Sequence, residues 1–379
     1  MEHTIILKKK GHYSSFPRGL YRLPDGRLTV GCQASTFANH LGLGWAVFVS
    51  ADNGATWTPS DDPLLPPHWP WQTVGEKMSR SCRIMPDGSY LAVAFSGYEL
   101  WQPERRAEAE ARGLRSREDE HFPGKLMVSA YKVVVIRSRD QGTTWERRTW
   151  IVPGYTHVHG VPLHPLLARL EDGSLLYPFR GIWPDGTSDA LLFRSNDEGE
   201  TWALQRAFEG IAEEWSFVEV EPGVLLAHIR HAYRWGHPED DRIYALEVWS
   251  QDGGKTWTYP VEAPFQGYPN HLLKLRDGRI LCTFGYRRKP MGVRALISED
   301  RGRSWDLDHE YVLRDDGGTT SDAWGPSKAA IPGFGSSDVG YPTSVELDDG
   351  SIVTVYYITT PDAITQVACT RWHPDRDRP

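Results

Sequence analysis

Hydrophobic residues in this chain recur at every second position around short acidic-glycine turns. Six stretches behave this way: YRLPDGRLTV, CRIMPDGSYLAVAF, LARLEDGSLLYPF, FVEVEPGVLLAHI, LLKLRDGRILCTF and SVELDDGSIVTVYY. Side chains on a strand point alternately to opposite faces, and Asp-Gly or Pro-Gly supplies a tight reversal, so each stretch predicts a β-hairpin. A second pattern, Ser-x-Asp-x-Gly-x-(Thr/Ser)-Trp, occurs five times: SADNGATW from Ser50, SRDQGTTW from Ser138, SNDEGETW from Ser195, SQDGGKTW from Ser250 and SEDRGRSW from Ser298. In each copy the aspartate can accept hydrogen bonds from turn N–H groups, the glycine supplies a left-handed backbone, and the tryptophan packs between neighbouring sheets.

Six hairpins, five followed by such a box, predict an all-β chain. The expected architecture is a six-bladed β-propeller with five Asp-box hairpins, a single domain over residues 1–379. The last blade ends in QVACTRW without a box; the N-terminal HTIILK is expected as its outer strand, closing the ring and covering an edge. Blades begin near Phe16, Lys77, His164, Glu214, Tyr268 and Tyr341. Two inserts interrupt the rhythm. Residues 96–130, with WQPERRAEAEARGLRSREDEHF, read as a charged surface helix, either a solvated excursion or a lid or dimer contact. Tyr311 to Gly340 reads as an ordered loop over the channel mouth.

Composition agrees with many short strands and tight turns: 16 Trp, 36 Gly and 27 Pro in 379 residues. A net charge of −8 argues against a nucleic-acid partner. No run of 18 apolar residues occurs, so no membrane partner is expected. The apolar stretch in MEHTIILKKKGHY is too short for a signal-peptide core, which makes a cytoplasmic location the simplest expectation, although a trimmed secreted chain would look the same. Cys32, Cys82, Cys282 and Cys369 lie far apart in apolar runs and are read as buried thiols. No phosphate loop, zinc-spaced cluster or nucleophile elbow is present, so neither cofactor nor metal is expected; His157, His159 and His164 lie close in sequence but lack the helical zinc pattern.

In a propeller the innermost strand of each blade starts at one mouth of the channel, and the second strand returns to it. The starting positions hold Phe16 to Arg18, Met78 to Arg80, His164, Glu214, Pro269 to Asn270 and Tyr341. The returning strands bring Arg180, Arg230, Arg287 with Arg288, and Tyr357. An arginine-rich mouth in an acidic protein points to an anionic group on the substrate, because the guanidinium fork pairs bidentately with carboxylate. The expected partner carries an anionic group, which the family resemblance below narrows to a small acidic sugar or oligosaccharide.

The repeated boxes and these mouth residues resemble the sialidase (neuraminidase) superfamily over essentially the whole chain. The resemblance implies three arginines clamping a sugar carboxylate, a tyrosine nucleophile activated by a glutamate, and an acid/base aspartate. Glu214 and Arg230, in EWSFVEVEPGVLLAHIR, match the family's base glutamate and one triad arginine. Tyr341, nine residues before Gly350, matches the nucleophile. Arg22 in YRLP, or Arg18, takes the first-blade arginine's place, and Arg287 or Arg294 the third's; Arg80 and Arg180 complete the candidate substrate-binding set. Where the acid/base aspartate belongs, CQASTFANHLGLGWAVFV contains no acidic residue, which leaves His40 or His164 as the substitute acid.

Three functions compete on these residues. One is an exo-acting glycoside hydrolase of sialidase type. Another is a glycosidase or lyase on uronic-acid oligosaccharides, in which arginines neutralise the carboxylate and acidify the neighbouring C–H. The last is a sugar-binding propeller without catalysis.

Overall fold

The computed structural model describes residues 1–10, 13–35, 44–61, 82–95, 98–119, 122–129, 132–140, 142–152, 154–155, 157–159, 167–210, 214–230, 244–318, 339–362 and 364–379. The described strands assemble mainly into antiparallel sheets of four. They divide into two compact units, one of Met1–Ala38, Gly44–Asp62 and Glu214–Pro379, the other of Asn39–Leu43 and Pro63–Glu213.

In the first unit, one sheet runs Trp215–Glu221, Val224–Arg230, Tyr244–Ser250, Val261–Gln266, and the next Asn270–Lys274, Ile280–Tyr286, Met291–Ser298, Tyr311–Gly317. Two further sets of four are joined through a single parallel bridge, Tyr13 to Thr365. One set is Tyr13–Arg22, Leu28–Ser35, Trp45–Ser50 and Thr58–Ser60. The other is Val339–Glu346, Ile352–Thr359, Thr365–Trp372 and, as its outer member, the N-terminal Glu2–Lys8, which runs antiparallel to Thr365–Trp372. The alternation read from the sequence accounts for the core, since Leu272, Ile280, Cys282, Phe284 and Leu296 turn inward from successive strands of one sheet.

In the second unit, Cys82–Ile84, Tyr90–Phe95, Lys132–Ser138 and Glu146–Ile151 form one sheet. In the next, Leu175–Ile182 pairs with both Ala168–Arg169 and His157–His159, and continues through Ser188–Ser195 to Ala203–Phe208.

The Asp boxes build one repeated turn. In the first, Asp52 accepts from Thr56 N at 2.8 Å and Thr56 Oγ1 at 2.6 Å, while Ser50 Oγ accepts from Gly54 N at 2.8 Å. The box glycines have φ between 85° and 92°, where a Cβ is strained. Three of them also lie close to an apolar side chain of a neighbouring sheet: a Cβ on Gly302 would meet Leu226 at 2.5 Å, one on Gly199 would meet Leu91 at 2.6 Å, and one on Gly54 would meet Val353 at 3.2 Å.

Two inserts differ from expectation. The helix expected within 96–130 is confined to a 3₁₀ turn, Pro103–Arg105, and Arg106–Ala111; the remainder forms a three-stranded sheet of Tyr98–Trp101, Leu126–Ser129 and Ser116–Glu118. The reason is a small core of its own, made by Trp101, Ala109, Leu114, Leu126 and Val128. The loop expected from Tyr311 begins instead as a strand, Tyr311–Gly317, and a second strand starts at Val339; Tyr311 and Leu313 are buried. Residues 319–338 lie outside the described residues.

Candidate functional site

A cluster in the first unit gathers side chains from three neighbouring sheets. Glu214 immediately precedes its sheet's first strand and is tied to the end of the second, where Arg230 N donates to Glu214 O at 2.7 Å. Both oxygens of the Glu214 carboxylate are engaged. Oε1 accepts the hydroxyl of Tyr341, 127 residues away in sequence, and Oε2 accepts Arg230 Nη1 at 2.6 Å. Glu214 and Tyr341 are each 7% exposed.

Tyr341 sits on a bulge in Val339–Glu346, with φ of 51°, a region unfavourable for a bulky residue. Its ring meets Phe16 edge-on at 4.9 Å and Tyr357 at 5.8 Å. Phe16 stands on a bulge of its own, with φ of 49°. Burial first, then the Glu214 charge, pushes the Tyr341 phenol above its ordinary pKa, with Arg230 and Arg287 opposing. In this state the proton stays on the phenol and points at a base.

Arg287 comes from the end of the adjacent sheet's second strand. Its Nε donates to Val339 O at 3.1 Å, and it is within electrostatic reach of Tyr357, Arg230, Tyr268 and Tyr341. Gly285 and Gly340 let these strands meet: a Cβ on Gly285 would lie 2.8 Å from the Gly340 Cα. Farther along Val339–Glu346, Ser344 N donates to Nδ1 of the buried His271 at 3.1 Å, and Ser344 Oγ contacts Thr354 and Thr283 hydroxyls at 2.9 and 3.2 Å. These buried bonds fix the strand that carries Tyr341.

The structure thus brings together Tyr341, Glu214, Arg230 and Arg287. Arg18 lies two residues beyond Phe16 and is 8% exposed. Arg22 stands apart, at the exposed end of its strand, in a bidentate pair with Asp348 of a turn. Arg294 bonds Glu310 and stacks over Tyr286 at 3.7 Å, on the third strand of its sheet. Arg180 belongs to the second unit, on Leu175–Ile182. His40, Arg80 and His164 lie outside the described residues, as do the side chains of His157 and His159. Cys32, Cys282 and Cys369 are buried, and none is in a disulfide among the described residues. Among the described residues, no helix is long and apolar enough to cross a membrane.

Tyr268 was marked in the sequence only as the start of a blade. Its ring receives two guanidinium groups, Arg230 at 4.5 Å and Arg287 at 5.1 Å. Nothing in its sequence neighbourhood marks that role, because the two arginines come from different sheets.

The family model of the BNR repeat-like domain matches residues 123–354, more than half of the chain. The chain belongs to this BNR-repeat family of the sialidase superfamily. A sialidase from Bacteroides fragilis (strain YCH46) is 27% identical over 241 residues, 59% of this chain and 41% of that protein, so the chain spans well under half of its relative's length. Among solved structures, a protein of unknown function from Dyadobacter fermentans DSM 18053 aligns over 98% of both chains with a TM-score of 0.69 and 21% identity. The Hadza microbial sialidase Hz136 aligns over 96% of this chain and 66% of its own, with a TM-score of 0.60 and 17% identity. At these identities the two structures share the BNR-repeat fold, and the fold alone.

Proposed function

We propose that this BNR-repeat protein is an exo-acting glycoside hydrolase of sialidase type, acting on a carboxylate-bearing sugar. The observation that carries the reading is one carboxylate, Glu214, bonded at one oxygen to the Tyr341 phenol and at the other to Arg230. Tyrosine is the established exception to the two-carboxylate scheme of glycosidases. A neutral nucleophile suits an anionic sugar, which a second carboxylate would repel.

In this reading Tyr341 Oη bonds to the anomeric carbon as Glu214 takes the phenolic proton, and the glycosidic C–O bond breaks. The leaving oxygen takes a proton from an acid, for which the sequence offers His40 and His164. Water then attacks the same carbon and gives its proton to the acid that protonated the leaving group, the tyrosyl C–O bond breaks, and the proton on Glu214 returns to the phenolate. Arg230 and Arg287, with Arg18 as the third candidate, hold the substrate carboxylate. An incoming carboxylate competes with Glu214 for Arg230; as that contact loosens, Glu214 becomes a stronger base. The four-stranded sheets are read as blades of one six-bladed propeller over residues 1–379, closed by the N-terminal strand.

Steady-state hydrolysis of an aryl sialoside tests the reading. Tyr341→Phe is expected to abolish release of the aryl alcohol while leaving substrate affinity within a few-fold. Undiminished turnover in this variant would sink the hydrolase mechanism. An unsaturated product absorbing in the ultraviolet would instead indicate a lyase, and saturable binding without turnover by the wild type a sugar-binding protein.

A further inference from the structure

Arg230 and Arg287 create a problem for each other. Arg287 is half-buried and shares one aromatic ring with the like-charged Arg230. Glu214 already engages Arg230, and a second carboxylate placed between the two arginines would relieve their repulsion only by occupying Arg287 as well. An aromatic face attracts a cation through its quadrupole without supplying a competing negative charge. Tyr268 offers such a face to both guanidiniums, at 4.5 and 5.1 Å from the ring centroid.

The backbone that carries the ring is firmly placed. Tyr268 N donates to Gly285 O at 3.0 Å. Gly285 has no room for a Cβ, which would lie 2.9 Å from Tyr268 O and 2.8 Å from the Gly340 Cα. Arg287, two residues beyond Gly285, is held by its bond to Val339 O, and Arg230 by its bond to Glu214. Each arginine therefore has a polar anchor on one side and the same phenol ring on another.

We propose that Tyr268 is a positioning residue whose ring sets the planes and separation of Arg230 and Arg287, preparing the pair to receive a carboxylate. The inference rests on the hydrolase reading above and goes beyond it in assigning specificity for the anion partly to an uncharged side chain.

Calorimetric titration of the full chain with N-acetylneuraminate tests it, alongside KM and kcat on an aryl sialoside. Tyr268→Phe keeps the ring and is expected to bind within about 2-fold of wild type. Tyr268→Leu is expected to weaken binding roughly 3- to 30-fold, in the range of one or two cation–π contacts, and to raise KM more than it lowers kcat. Phenylalanines carrying one, two and three fluorines at position 268 drain the ring's quadrupole with little change of shape, so affinity is expected to fall stepwise along that series. This series keeps the inference testable should Tyr268→Leu fold poorly. A flat fluorine series, or wild-type affinity in a folded Tyr268→Leu, overturns the role of Tyr268 while the hydrolase reading stands, provided Arg287→Ala loses binding. Undiminished binding by Arg287→Ala, or no binding by wild type, removes both.

Discussion

At the scale of single residues, the site depends on two side chains in an unfavourable backbone region. Phe16 and Tyr341 both have φ near 50°. Such conformations cost about 1–3 kcal/mol each and persist only where the surroundings enforce them. Here the enforcement includes the strand bulges, the edge-on contact of the two rings, and the Glu214 bond. Because Glu214 must accept the phenolic proton, Glu214→Gln keeps a hydrogen-bond acceptor but loses the base. Its kcat on an aryl sialoside is expected to fall by roughly 10²–10⁴, the usual contribution of general base catalysis, with a lower melting temperature because one amide oxygen cannot serve both the phenol and Arg230. A rate within a few-fold of wild type would mean that another group takes the proton. Legibility at this scale followed spacing along the chain. Tyr341, Glu214 and Arg230 were marked by their distances from hairpin glycines, and they are in contact. Arg22 was marked by a four-residue motif, and its guanidinium instead joins Asp348 across 326 residues of chain, a pairing that spacing cannot reveal.

At the scale of elements, two kinds of group tie stability to pH, in different windows. His271 is buried and accepts a backbone N–H at Nδ1, and burial drives its pKa down from 6.5 to about 3. The unfolded chain therefore binds a proton that the native site refuses. The sign follows: stability from this group is intact above pH 6.5 and declines as pH falls toward 3. His271→Gln retains an acceptor without the titration, so its melting temperature is expected to change less than that of wild type between neutrality and pH 5. Parallel curves would exclude His271 as the source of the slope. The Asp-box carboxylates act lower. Bonds from the Thr144 side chain and backbone hold Asp140 at about 2 against an ordinary 3.8, so their contribution is present above pH 4 and lost as pH falls toward 2. The boxes were fully legible because each turn is local in sequence. The 96–130 insert was not: RAEAEA shows helical composition, whereas YELW, SRE and LMVS are too short for alternation to register.

At the scale of the whole molecule, the strand periodicity and the boxes sufficed for the all-β class and the four-stranded sheets, since both repeat regularly along the chain. The N-terminal strand was expected on the outer edge of the last sheet, and it pairs there, which puts one long-range edge within reach of experiment. Glu2–Lys8 covers the free edge of Thr365–Trp372, buries Ile6, and anchors its ends through Met1 N to Asp377 at 3.0 Å and Lys8 Nζ to Asp362 at 2.7 Å. Surface ion pairs contribute little, so the main effect is the strand pairing and the burial of Ile6. Removing residues 1–8 would leave the QVACTRW strand with an unpaired row of N–H and C=O groups, and such edges recruit other chains. The truncated protein is expected to melt several degrees lower and to form higher oligomers with rising concentration, read by calorimetry and light scattering. Ile5→Lys, at a site 51% exposed, is expected to change neither. If the truncated chain melts and scatters like wild type, the N-terminal strand is a passenger, and the edge of Thr365–Trp372 is protected by some other means.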